Sequence, residues 1–121
     1  MDTLFKYGDF EGVYDAFDYV QAEKVDPAYD AVIKATEEMK SLSNAEALRT
    51  LVMSVAGLLN AAFGDETANK VFGKSTSAFD ALLIFEAFTD FKNGQVQAAK
   101  EKTEEIKKRN SNRAQRRAVK K

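Results

Sequence analysis

The chain of 121 residues has no cysteine, no histidine and no tryptophan, and its single proline is Pro27. Without cysteine there is no disulfide framework and no thiolate ligand, which is compatible with a reducing cytosol. Without histidine the usual zinc and haem ligand sets and every His-based catalytic arrangement are missing. Only carboxylates, lysines, tyrosines and hydroxyls remain, so no catalytic, cofactor-binding or metal-ligating set is expected and the chain reads as a non-enzyme. Long apolar runs are also lacking. The longest uncharged stretch, Thr50 to Gly64, is 15 residues long and contains Ser54 and Asn60, short of a bilayer span. Met1-Asp2-Thr3-Leu4 has no basic region followed by an apolar run, which argues against a secretory signal. A soluble intracellular domain of ordinary size is expected, able to bury a core of several helices unaided.

The strongest pattern lies in Ser43 to Gly64. Leu48, Leu51, Val52, Val55, Leu59, Ala62 and Phe63 recur at steps of three and four, with Met53 and Leu58 widening the stripe, which predicts the central helix. Ser43-Asn44-Ala45-Glu46 has the S-x-x-E form of a capping box, and Gly64 supplies a helix end. A second apolar helix is predicted over Ser77 to Phe91. Its arc of Ala78, Ala81, Leu82, Leu83, Ile84, Phe85, Phe88 and Phe91 is wide enough to imply contact on more than one side.

The remaining elements follow from weaker signals. Leu4-Phe5-Lys6-Tyr7 is a short extended piece punctuated by Gly8. From Asp9 the spacing of Phe10, Val13, Tyr14 and Phe17 predicts a helix capped by Asp9, with Gly12 a weak point in its first turn. Asp26-Pro27 reads as the cap and first residue of a further helix to about Leu42 with Tyr29, Val32, Ile33, Thr36 and Met39 inward, although one longer kinked helix through Lys24 fits too. A two-turn helix capped by Asp65 or Thr67 and ended by Gly73 comes next, and Asn93-Gly94 is expected to stop the helix before it. The fold class is therefore all-α, a compact bundle of about five helices over residues 1–94, followed by a charged C-terminal helix and basic flexible tail over residues 95–121.

Charge is divided between these two parts. Residues 1–99 carry 8 Lys+Arg against 16 Asp+Glu, a net of −8, and residues 100–121 carry 10 against 3, a net of +7. An acidic body with a basic end points to a partner-binding tail. Val96, Ala99, Thr103 and Ile106 make a thin stripe that predicts a partly docked helix from Gln95 to Lys108. Beyond Asn110-Ser111-Asn112, with Val119 the one large aliphatic side chain, disorder or a helix formed on a partner is expected.

Several short motifs have plain structural readings. Gly73-Lys74-Ser75-Thr76 looks like the end of a phosphate-binding loop, but Ala68 stands where the first glycine is required and no strand precedes it, so a glycine helix end followed by capping residues accounts for the same letters. The pairs Glu86/Asp90 and Asp15/Asp18 have helical spacing but no further ligand nearby, and read as solvent-facing strips. The run Arg113 to Lys121 suits phosphate backbones or acidic protein surfaces. No aromatic interleaves it, which disfavours base stacking, and no large apolar face accompanies it, which disfavours a membrane.

The order of Phe63-Gly64-Asp65, Val71-Phe72-Gly73 and Phe85-Glu86-Ala87-Phe88, each closing or lying in a helix, resembles a family of small helical proteins from tailed phages and prophages of Gram-positive bacteria. The ending Asn112-Arg113-Ala114-Gln115-Arg116-Arg117 is similar to the tails of phage tail assembly chaperones. The resemblance covers about half of the chain and leaves Asp9 to Lys40 as generic acidic helices. It implies a non-catalytic chaperone that coats the tape measure protein of a long-tailed phage and keeps it soluble in the host cytoplasm until tail tube subunits displace it, so that it is absent from the mature virion. Such families often make a second, frameshifted product. The expected partners are the tape measure protein, the tail tube protein and further copies of the chain. The residues expected to meet them are Phe79, Leu83, Phe88 and Phe91 on the apolar helix and Arg113, Arg116 and Arg117 on the tail. The alternatives are a capsid scaffolding or head-tail adaptor protein and a nucleic-acid-binding regulator that uses the basic tail.

Overall fold

The structure, a computed structural model, describes residues 1–40 and 43–119, with side chains through Arg116. Two short strands, β1 (Leu4–Tyr7) and β2 (Phe10–Val13), precede four helices: α1 (Tyr19–Glu38), α2 (Asn44–Phe63), α3 (Thr67–Phe72) and α4 (Ala78–Val119). Among the described residues the fold is mostly helical, with a two-stranded sheet in place of the helix expected from Asp9, and with four helices where about five were expected.

The hairpin forms because the segment obeys a second periodicity as well. Antiparallel pairing sets Leu4 opposite Val13, Phe5 opposite Gly12, Lys6 opposite Glu11 and Tyr7 opposite Phe10. Gly8 takes a φ of 57° in the two-residue loop, a position that suits glycine because it has no Cβ to clash. Phe5 is buried, and its cross-strand neighbour Gly12 leaves room for two aromatic rings. A Cβ on Gly12 would sit 2.6 Å from Phe63 Cδ1 and 2.8 Å from Phe10 Cζ. What looked like a weak point in a helix is thus a place where rings lie against bare backbone.

One helix, α1, spans the stretch on which a break at Pro27 was an option. Asp18 caps it, its Oδ1 accepting from the Val20 N–H at 3.0 Å. Pro27 costs the interior of a helix one hydrogen bond, but Val25, Val32 and Ala35 are buried along a continuous stripe on either side of it, and Pro27 itself faces solvent. Of the residues expected inward, Val32 is buried, Tyr29, Thr36 and Met39 are half-buried, and Ile33 is exposed. The expected end at Leu42 lies outside the described residues.

Helix α2 is the core element. Ser43 Oγ accepts from the Glu46 N–H at 3.3 Å, and the Gly64 N–H donates back to Asn60 O. Ala47, Leu51, Val55, Leu58, Leu59 and Ala62 are buried, whereas Leu48 and Met53, expected in the stripe, are exposed. With 20 residues, α2 is also long and apolar enough to cross a membrane by length and composition alone; here its buried side supplies the centre of the core. Gln21 of α1 donates to Ala62 O at the far end of α2, so the two helices run antiparallel. The Asn60 side chain accepts from the Ala68 N–H at 3.0 Å, joining α2 to α3. Glu66, with a φ of 73°, is the N-cap of α3, so neither Asp65 nor Thr67 plays that part.

An aromatic cluster closes the core. Phe5 lies 5.4 Å from Phe63, 5.4 Å from Phe91 and 6.0 Å from Phe88, and Tyr14 lies 5.0 Å from Phe88. These offset and edge-on contacts add to burial. Each of the hairpin, α2 and α4 contributes a ring, so the small sheet is held by helices and not by its own pairing.

Candidate functional site

Helix α4 carries every residue that the sequence singled out for partner contact, and it divides them. It runs unbroken through Asn93-Gly94, where a stop was expected, for 42 residues, or about 63 Å at 1.5 Å per residue. Phe79 and Leu83, one turn apart, point to solvent with 67% and 41% of their surfaces exposed, and Leu82 joins them at 39%. Phe88 is the correction. Nine residues beyond Phe79, and so on the opposite side of a helix that turns about 100° per residue, it is fully buried against Phe5, Tyr14 and Phe63. Phe88 therefore has no surface to offer a partner. Phe91 is half-buried and edge-on to Phe5.

Arg113 and Arg116 lie at the other end of α4 and are exposed; the side chain of Arg117 is outside those described. Along the helix Phe79 and Arg113 are about 51 Å apart, so the apolar trio and the cationic end are two surfaces and not one site. From Lys100 to Arg116 every residue is exposed. This part of α4 is an arm leading away from the body, helical to Lys108 as expected and helical also beyond Asn110, where disorder or partner-induced order was expected. Its composition of Ala, Gln, Glu, Lys and Arg favours helix, and Glu105 bridges Lys102 at 3.7 Å and also pairs with Arg109 one turn on.

Gln95, which no sequence signal marked, anchors the point where the arm leaves the body. It is 2% exposed. Its Oε1 accepts from the Ala16 N–H at 2.7 Å, and its Nε2 donates to Tyr14 O at 2.7 Å and Asp2 O at 2.9 Å. Three backbone groups of the N-terminal segment are thus satisfied by one side chain of α4. Nearby, the Tyr29 hydroxyl meets Thr89 Oγ1 at 3.1 Å, and Lys92 Nζ sits 4.3 Å above the Tyr29 ring. Burial raises the pKa of the Tyr14 hydroxyl above the ordinary tyrosine value, and the negative charges of Asp26 and Asp15 act in the same direction.

The other motifs resolve into local structure. Gly73 ends α3 with a φ of 60°, Ser77 Oγ accepts from the Asp80 N–H at 3.4 Å, and Ser75 Oγ bonds the Asp80 carboxylate, so the phosphate-loop-like letters cap α4. Asp15 Oδ1 accepts from the Phe17 N–H and Asp18 caps α1, while Glu86 and Asp90 face solvent. Among the described residues no group of three or more carboxylates is placed to hold a metal ion.

Residues 8–120 match DUF6673, a family of unknown function. No curated protein and no solved structure matches the chain.

Proposed function

The chain belongs to the DUF6673 family, and we propose that in this family of unknown function it is a non-catalytic binding protein, a phage tail assembly chaperone that keeps the tape measure protein soluble during tail assembly. The observation that carries the reading is the design of α4. One long helix bears an exposed apolar trio, Phe79, Leu82 and Leu83, at its packed end and a cationic arm with Arg113 and Arg116 at its free end, on a body of net charge −8 over residues 1–99. A tape measure protein is a long helical chain rich in apolar stripes, and exposed apolar side chains on a rigid helix are what such stripes need while they wait for the tail tube. The cationic arm serves to dock the tail tube protein or an acidic segment of the client, and the apolar trio also suits association with further copies of the chain. The resemblance of Phe63-Gly64-Asp65, Val71-Phe72-Gly73 and the Asn112 to Arg117 ending to tail chaperones supports the same reading. No cofactor and no membrane takes part, and the protein acts in the host cytoplasm and leaves before the virion is complete.

Co-expression with a tape measure protein tests this. The wild-type chain should hold the client in the soluble fraction, and Phe79→Asp/Leu83→Asp, which alters exposed positions, should fold yet fail to do so. A client that stays insoluble with the wild-type chain, or coat assembly promoted in its place, counts against the chaperone and for a capsid scaffolding or head-tail adaptor role. The exposed cationic arm also favours a second reading, a nucleic-acid-binding regulator. That reading requires binding that weakens steeply with salt, and the absence of RNA or DNA association at about 50 mM salt removes it.

A further inference from the structure

Where α4 leaves the body it still carries a seam. Val96, Ala99, Thr103 and Ile106 fall at steps of three, four and three, the spacing of core positions over two heptads of a coiled coil. Val96 and Ala99 are half-buried, whereas Thr103 is exposed and Ile106 is 46% exposed. Phe17, from the segment before α1, stands beside the inner part of the seam and with Val96, Ala99 and Thr103 lines an open groove. Phe17 was expected inward on a helix; it is instead 55% exposed and ends this groove as an apolar wall. Ile106 continues the seam outside the groove lining and is exposed among the described residues.

The charges beside the seam decide what can lie on it. In heptad terms the flanking positions are Lys100 and Lys107 on one side and Gln95, Lys102 and Arg109 on the other, cationic at every position but the buried Gln95. Glu105 partly answers Lys102 and Arg109 from within the helix, and Glu104 lies at the margin of the groove. Among the described residues Lys100 and Lys107 form no ion pair. A second copy of the arm would bring Lys and Arg against Lys and Arg in either orientation, which opposes self-pairing. An apolar seam between cationic flanks is complementary to an apolar seam between acidic ones.

We propose that the arm of α4 binds an amphipathic helix of another protein whose apolar stripe is flanked by Asp and Glu. Its apolar residues seat on Val96, Ala99, Thr103 and Ile106 with one end against Phe17, and its acids meet Lys100 and Lys107. The inference holds whichever protein supplies that helix and does not rest on the chaperone reading.

Fluorescence anisotropy with the full chain tests it, using two labelled peptides of about four heptads with the same Leu seam, one flanked by Glu and the other by Lys. The Glu-flanked peptide should bind at least about tenfold more tightly at about 50 mM salt, with the difference narrowing at about 500 mM. Ile106→Glu should abolish binding, and Lys100→Glu/Lys107→Glu should transfer the preference to the Lys-flanked peptide. All three positions are exposed, so unchanged circular dichroism and melting of the variants will separate lost binding from lost structure. Equal affinity for the two peptides, or no binding of either, overturns the proposal. So does a dimer that Ile106→Glu dissolves, because a second copy then occupies the seam. Binding of the Glu-flanked peptide alongside failure to solubilise a tape measure protein would count against the chaperone and leave this inference standing.

Discussion

Gln95 shows how a single polar side chain can decide where a helix belongs. Its three hydrogen bonds to Ala16, Tyr14 and Asp2 satisfy backbone groups that the hairpin leaves open, and removing the amide leaves the buried Tyr14 carbonyl and two part-buried groups without this partner. Gln95→Ala is expected to destabilise the fold by about 3 kcal/mol, and Gln95→Met, which keeps the bulk, should cost a similar amount. Urea unfolding checks both, and a loss below about 0.5 kcal/mol would mean that the anchor is not what holds α4 to the N-terminal segment. Tyr14 makes a prediction in pH. Its folded pKa is raised, so above about pH 10, the unfolded tyrosine value, the unfolded chain releases this proton first and binds fewer protons than the folded one. Stability contributed here is full below that pH and is lost as pH rises through the folded value. Tyr14→Phe should therefore lose less stability than the wild type between about pH 9 and pH 11, as read from urea midpoints, and parallel declines would refute the assignment. Neither residue could be picked out beforehand. A lone glutamine in a polar run looks like any surface residue, and Tyr14 fits a helical pattern as well as a strand end.

At the scale of elements, local signals were reliable where one periodicity dominates and ambiguous where two compete. The capping box at Ser43 and the glycine end at Gly64 define α2 in sequence and in structure alike, because seven apolar positions at helical spacing leave no other reading. Phe10, Val13, Tyr14 and Phe17 satisfy a three-four step, yet Phe5, Gly12 and Tyr14 are needed on the core side of a hairpin, and burial of Phe5 among Phe63, Phe88 and Phe91 prevailed. Likewise Gly94 weakens a helix by about 1 kcal/mol, less than the anchoring of Gln95 immediately after it. In α1 the stripe of Val25, Val32 and Ala35 carries the helix across Pro27. Because Pro27 is exposed, Pro27→Ala should restore a hydrogen bond without disturbing the core. The expected gain is about 1–2 kcal/mol after allowing for the freer unfolded chain, and a melting temperature that falls would show that the proline is needed where it stands.

For the whole molecule the arrangement of charge on a rigid frame matters more than any one side chain. The acidic body and the basic end are joined by a continuous helix whose described side chains from Lys100 to Arg116 are all exposed, so removing its last part should not be felt by the core. Deletion of residues 110–121 is expected to leave the unfolding transition cooperative and its midpoint within about 2 °C, while weakening engagement of an acidic partner; broadened or lost cooperativity by circular dichroism would show that the arm belongs to the core. The sequence by itself determined the mostly helical class, the central helix with both of its ends, and the division of charge, since these depend on composition and on contacts within a few residues. Only the tertiary structure decided that Phe88 is core while Phe79 and Leu83 are surface, that Phe17 walls a groove, and that α4 continues past Gly94. Those outcomes depend on which rings meet across the hairpin, α2 and α4, and contacts between distant parts of a chain have no period to be read from.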